Sequence, residues 1–265
     1  MDTAGLRSVK AFLLDLDGTL YLGDRLFEWT PRFLDTLRRR GLGRFFMTNN
    51  SSRDAEGYAA KLRRLGLDVQ PDEIITSGQS AALYLREHPE IRSVYVLGTD
   101  QLAAEVRRAG KEVVDERADA VLVGYATNLT FAALARAAVE IRRGAVFLAT
   151  HPDLVCPDEL GMLPDCGSLC RCLAAATGRE PDQVFGKPSS WMVRLVTERC
   201  GLPPQDIAIV GDRLYTDIRM GIDNGSLAVL VLSGETRREL LRTSTVQPDV
   251  VFENVFELAV ALEQA

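Results

Sequence analysis

Asp15 and Asp17 are the residues with the clearest capacity for chemistry. They close the run Ala-Phe-Leu-Leu-Asp-Leu-Asp-Gly-Thr at residues 11–19. Residues two apart on an extended segment project to the same side, so both carboxylates can present oxygens to one point. Two acids on one spot repel unless a cation or a shared proton compensates them. The chemistry this suggests is a metal-supported nucleophile with a neighbouring proton donor. The plainer reading is an Asp-Gly turn after a core strand.

Three further stretches follow the same grammar, a short apolar run ending at once in small polar or charged residues: Thr48–Ser52, Gly186–Pro188 and Gly211–Asp217. In an open parallel sheet, ligands bind outside the carboxyl ends of the strands, so four such tips can converge on one crevice. A magnesium ion takes oxygen ligands, commonly one or two carboxylates plus a substrate phosphate. Asp15 and Asp212 suit direct ligation, Lys187 suits compensation of phosphate charge, and Thr48 and Asn49 suit hydrogen bonds to phosphoryl oxygens. Positioning and charge compensation of this kind supply most of the catalysis in phosphoryl transfer. Each piece also has a local explanation. Lys187 could be a solvated turn lysine, Thr48–Ser52 a helix cap, and Asp217 an acid favoured at a helix start. The recurrence of all four at strand ends, in order, favours the shared crevice.

The elements that must position these tips are legible as alternation. Short apolar runs (11–14, 45–47, 74–75, 94–97, 120–123, 145–149, 184–185, 207–210, 228–232, 250–251) alternate with longer amphipathic stretches, the pattern of a parallel α/β protein. Thr30 is expected to cap a helix with Pro31 in its first turn. Residues 151–167, punctuated by Pro152, Pro157, Gly161 and Pro164, are expected to form an irregular loop, with a helix starting at Ser168. A helix is likewise expected from Thr216 to Asp223.

The 265 residues suffice for a sizeable core in one or two domains. A formal net charge of −6 argues against a nucleic-acid partner or an acidic membrane surface. It also means that a phosphorylated substrate needs local cations. No apolar run approaches the roughly 18 residues of a membrane span, and Met1–Lys10 lacks a signal-peptide core. An odd count of five cysteines fits reduced thiols in the cytosol. Cys166, Cys170 and Cys172 lack the paired spacing of a zinc site.

Asp15-Leu16-Asp17-Gly18-Thr19, Thr48-Asn49-Asn50, Gly186-Lys187-Pro188 and Gly211-Asp212-Arg213-Leu214-Tyr215-Thr216-Asp217 resemble the four motifs of the haloacid dehalogenase superfamily. Their spacing and the insert between the second and third resemble its NagD-type, 4-nitrophenylphosphatase-like branch. The resemblance implies a Rossmann-like α/β core, residues 1–80 and 184–265, with an inserted α/β cap at 81–183. It implies a magnesium-dependent phosphatase acting on small phosphorylated metabolites, such as sugar, polyol, nucleotide or cofactor phosphates. Asp15 would be the nucleophile that becomes an aspartyl phosphate. Asp17 would be the acid and base, its backbone carbonyl a further metal ligand. Asp212 would bind the metal, and Asp217 would orient the metal's water or Lys187. Thr48, Asn49, Asn50 and Lys187 would hold phosphate. In the cap, His151 stands where relatives commonly have Asn, and Asp165 lies in what is commonly a small Gly-containing turn. Both are candidate specificity residues. A homodimer through the cap is a further family expectation. Phosphotransfer, as in mutases, and a non-catalytic phosphometabolite-binding protein are the alternatives.

Overall fold

The run Ala11–Leu14 is apolar at every position because it becomes the strand Ala11–Asp15, whose five residues are all buried. It lies at the centre of a six-stranded sheet in the computed structural model, which describes residues 4–158 and 160–264. The order across that sheet is Val250–Phe252, Leu227–Val231, Ile207–Gly211, Ala11–Asp15, Gly43–Thr48, Ile74–Thr76. From the central strand the chain moves outward to one edge, then returns beside it at Ile207–Gly211 and moves to the other edge. The strand order therefore reverses between Ala11–Asp15 and Ile207–Gly211, which run parallel with Leu14 opposite Val210. Such a switch point opens a crevice at the carboxyl ends of its two strands. Gly43–Thr48 flanks the central strand on the other side, also parallel, with Asp15 opposite Met47.

This sheet belongs to the first of two units, made of residues up to 47, 59–75 and from 193 onward. The first helix, Thr30–Arg39, does carry Pro31 in its first turn. Thr30 does not cap it, because its buried hydroxyl donates to the Leu20 carbonyl at 2.6 Å instead. The expected helix at Thr216 is also different. A π-helical turn, Leu214–Ile218, precedes a short α-helix, Arg219–Asn224. The wider turn leaves room for the Asp217 side chain to fold back and accept from the Arg213 N–H at 3.2 Å.

The second unit comprises residues 48–58 and 76–192. The five strands of its larger sheet are ordered Gln183–Val184, Val146–Ala149, Ala120–Val123, Ser93–Leu97, Glu112–Val113, and every pairing in that sheet is parallel. The period-2 alternation of a strand divides its apolar residues between two cores. Val121, Val123 and Phe147 pack with Ile141, Leu169 and Leu173 on one face. Ala120, Leu122 and Leu148 pack with Ala81, Leu85 and Leu102 on the other.

The stretch expected to be irregular contains an antiparallel hairpin, Val155–Asp158 with Gly161–Pro164. Gly161 adopts φ +116°, which a glycine takes without strain. The prolines that looked like breakers are tolerated because a two-stranded ribbon consists only of edges. The helix after it runs Cys166–Thr177 and starts two residues early, because Asp165 caps it by accepting from the Cys166 N–H at 2.6 Å. Among the described residues no helix is long and apolar enough to cross a membrane.

Candidate active site

Three carboxylates meet in the first unit. Asp15 ends the central strand, Asp212 follows its neighbour, and Asp217 folds back from the π-helical turn. Each offers an oxygen within 4.8 Å of the others, and all three are buried. Side-chain volume is excluded around them. A Cβ on Gly18, which also has φ +84°, would stand 2.5 Å from an Asp212 oxygen. A Cβ on Gly234 would collide with the same oxygen, and one on Gly211 with the Asp217 carboxyl. These glycines are required by close approach to acids.

The hydrogen bonds then decide what the cluster lacks. Asp212 Oδ2 accepts from the Glu235 N–H at 2.6 Å. Its Oδ1 is buried and has no hydrogen-bond partner among the described residues. Asp15 Oδ2 receives the Thr19 hydroxyl at 3.3 Å, and Asp217 Oδ2 receives the Thr216 hydroxyl at 3.3 Å. Burial raises the Asp212 pKa, and the charges of Asp15 and Asp217 raise it further. Leaving a buried carboxylate oxygen unpaired beside two like charges is costly. A hard cation with oxygen ligands removes that cost, so the donor set suits magnesium.

Asp17 lies two residues beyond Asp15 and is exposed as a residue, with Oδ2 accepting from the Gly23 N–H at 3.3 Å. Desolvation of its carboxyl, aided by the charge of Asp15, raises its pKa. A raised carboxyl pKa suits a group that must give and take a proton.

The other sequence-identified residues fall in the second unit. Asn49 Oδ1 accepts from the Lys187 N–H at 2.7 Å, and Asn49 Nδ2 reaches Asp153 Oδ2 at 3.0 Å. Lys187 is only 5% exposed, which rules out the solvated turn lysine. Asn50 Oδ1 accepts from the Ser52 N–H at 2.9 Å and the Ser52 hydroxyl at 2.7 Å, while the Thr48 hydroxyl accepts from the Asn50 N–H at 3.2 Å. This loop therefore holds its own shape.

His151 and Asp165 are both buried and joined, His151 Nε2 to Asp165 Oδ1 at 2.9 Å. His151 Nδ1 meets the Thr150 hydroxyl at 2.9 Å. The sequence Thr150–His151–Asp165 resembles a nucleophile relay, but Thr150 has no exposed surface for a substrate to reach. Burial alone would lower the imidazole pKa. The charge of Cys166, with the hydrogen bond and charge of Asp165, outweighs burial and raises it to about 9. Cys166 and Cys170 are buried near this pair, whereas Cys172 is exposed.

Sequence reasoning missed a fifth strand tip. Leu227–Val231 ends in Leu232-Ser233-Gly234-Glu235-Thr236, the same apolar-to-polar grammar. Ser233 donates to the Gly18 carbonyl at 2.7 Å and the Thr236 N–H to the Asp212 carbonyl at 3.2 Å. Glu235 also pairs with Arg213 Nε at 2.9 Å. Burial alone would lower the Arg213 pKa, but the charges of Asp212, Glu235 and Asp15 outweigh it and raise it.

A parallel α/β sheet with buried acids at its switch point belongs to the class of open α/β proteins that bind ligands outside the carboxyl ends of their strands. The chain belongs to the haloacid dehalogenase-like hydrolases, whose family model matches residues 12–112, with a second HAD-hydrolase-like model matching 184–258. It is 34% identical over 260 residues to an acid sugar phosphatase of Staphylococcus aureus, covering 98% of this chain and 100% of that one. The structure of a 4-nitrophenylphosphatase from Thermotoga maritima superposes with a TM-score of 0.93 at 40% identity, covering 97% and 99%. A glycerol phosphate phosphatase from Mycobacterium tuberculosis, solved with magnesium, gives 0.89 at 32% identity, covering 97% of this chain and 77% of that one.

Proposed function

We infer that the protein is a magnesium-dependent phosphatase that hydrolyses phosphate monoesters of small metabolites through an aspartyl phosphate. The observation that carries this is the buried trio Asp15, Asp212 and Asp217, with one Asp212 oxygen that has no hydrogen-bond partner among the described residues. The relatives named above support the reaction class, and the one solved with magnesium supports the cofactor. Asp15, Asp212 and the Asp17 backbone carbonyl would hold the ion, with Asp217 oriented behind them. When bound, it would neutralise charge on the phosphoryl group and on the acids around it.

The chain's own residues then do the following. An Asp15 oxygen attacks phosphorus as the P–O bond to the leaving alcohol breaks, and Asp17 delivers its proton to the leaving-group oxygen. Water next attacks phosphorus, Asp17 takes a proton from it, and the bond to Asp15 breaks, releasing inorganic phosphate. Lys187 compensates phosphate charge, and the Thr48–Asn50 loop presents hydrogen-bond donors to the phosphoryl oxygens. In this reading residues 1–80 and 184–265 form the catalytic core and 81–183 the cap. His151 and Asp165 influence substrate choice through the loop they anchor, since their side chains are occupied with each other.

A cytoplasmic location accords with five free thiols. A homodimer through the cap accords with exposed Phe131, Leu160 and Met162 in residues 81–183. Asp15→Asn tests the whole reading. It should lower phosphate release by at least about 10⁴-fold with an unchanged melting curve. Retained activity would remove the nucleophile and the mechanism with it.

A further inference from the structure

We propose that Asp153 is a positioning residue that fixes the Asn49 carboxamide and, through it, the turn that carries Lys187. The inference rests on the phosphatase reading above. A carboxamide can present either its oxygen or its nitrogen to a neighbour, and only the oxygen can accept from an N–H. Asn49 Oδ1 accepts from the Lys187 N–H at 2.7 Å, so the turn depends on the orientation of this group. An ionised carboxylate is acceptor-only. Asp153 Oδ2, 3.0 Å from Asn49 Nδ2, therefore selects the orientation that serves Lys187. The same nitrogen lies 3.4 Å from the Lys187 carbonyl, so one carboxamide brackets both backbone groups of the lysine.

The surroundings leave the turn little room to adapt. A Cβ on Gly186 would stand 2.5 Å from His151 Cβ, 2.7 Å from Asn49 Oδ1 and 2.9 Å from the Thr150 carbonyl oxygen. Asp153 is itself held in place. Its carbonyl accepts from the Gly167 N–H at 2.8 Å in the first turn of Cys166–Thr177. His151, two residues before it, is tied to Asp165, which caps that helix. A Cβ on Gly167 would also come within 2.8 Å of the Asp153 carbonyl oxygen. Three segments far apart in sequence thus converge on one lysine. Both ends of the Asn49 side chain are committed to this clamp, so Asn49 serves phosphate by placing Lys187 and through its own backbone.

The test compares hydrolysis of 4-nitrophenyl phosphate and of glycerol phosphate, with inhibition by inorganic phosphate, in the wild-type protein and in Asp153→Ala, Asp153→Asn and Asp153→Glu. Misplacement of a charge-compensating group by about 1 Å costs up to about 10²-fold. Asp153→Ala should lower kcat by about 10- to 100-fold, by the same factor on both esters, and weaken phosphate inhibition. Asp153→Asn, whose carboxamide oxygen can still accept from Asn49 but whose nitrogen also admits the flipped orientation, should fall between wild type and Asp153→Ala. Asp153→Glu shifts the carboxylate by a methylene and should fall at least about 5-fold, which carries the test if the alanine variant does not fold. Wild-type kcat in Asp153→Ala, or in Asp153→Glu where the alanine variant does not fold, would overturn the clamp. So would a loss differing about 10-fold between the two esters, which would place Asp153 against the leaving group. An Asp153→Asn variant as weak as Asp153→Ala would overturn it too. Wild-type protein inactive on both esters would instead sink the phosphatase reading and the clamp together.

Discussion

Two clusters in this molecule look alike by composition and spacing. Asp15, Asp212 and Asp217 in the first unit each offer a ligand atom within 4.8 Å of the others, and so do His151, Asp153 and Asp165 in the second. Their hydrogen bonds separate them. In the second cluster both ring nitrogens of His151 have partners, Asp165 bonds His151 and the Cys166 N–H, and Asp153 takes the Asn49 amide. In the first, like charges face one another and Asp212 Oδ1 finds no hydrogen bond among the described residues. A network whose members already bond one another has committed those ligand atoms to structure. An acid cluster that leaves a buried oxygen unpaired is built for something the protein does not itself supply.

Substitutions in the two clusters should therefore differ in kind. After Asp15→Asn, the largest effect is expected from Asp212→Asn, which removes a proposed ligand while relieving like-charge repulsion. Phosphate release should fall by about 10³-fold or more. In a thermal melt, wild-type protein should gain stability with added magnesium. The variant should not, and an equal gain in both would dissolve the distinction between the clusters. Asp17→Asn should cost about 10²- to 10⁴-fold in kcat. Its effect should be smaller on 4-nitrophenyl phosphate, whose leaving group needs less protonation, than on an alkyl phosphate. Equal losses on both esters would deny Asp17 the role of acid.

His151→Gln should show mainly in stability. The raised imidazole pKa means that the contribution of His151 is fully present below its unfolded value near 6.5 and is lost as pH rises through about 9. The Cys166 thiolate beside it changes stability in the opposite sense over the same range, so the wild-type and variant curves should differ in shape across that window. Parallel stability curves from pH 6 to 10 would remove the buried imidazolium.

How far the site was legible depended on whether the signal was local. Asp15 and Asp212 were visible because an apolar run buried on both faces must end where the sheet ends, and polar residues there stand out. The parallel pairing that makes their strands neighbours followed from the same alternation. Ser233–Thr236 carried this signal too, but without an acid pair it resembled an ordinary loop, and only its hydrogen bonds to Asp212 and Gly18 reveal its part. The hairpin at 155–164 was hidden because proline and glycine mark breaks in strands in general, while a two-stranded ribbon lets them stay. Thr30 appeared to be a cap because capping is the common use of that residue type. Its burial against the Leu20 carbonyl depends on a contact ten residues away, which no local pattern contains.

The order of elements, the four polar strand tips and the identity of the acids were written in the chain itself, since burial periodicity and turn chemistry act over a few residues. Which groups would share a hydrogen bond was settled only by the fold. Asn49, Asp153 and Lys187 are separated by more than a hundred and by more than thirty positions, and no period links them. The same holds for the choice between an acid trio that leaves an oxygen unpaired and a histidine cluster that satisfies itself. Hydrogen bonding is short-ranged and directional, so that choice exists only once three dimensions bring the partners to within about 3 Å.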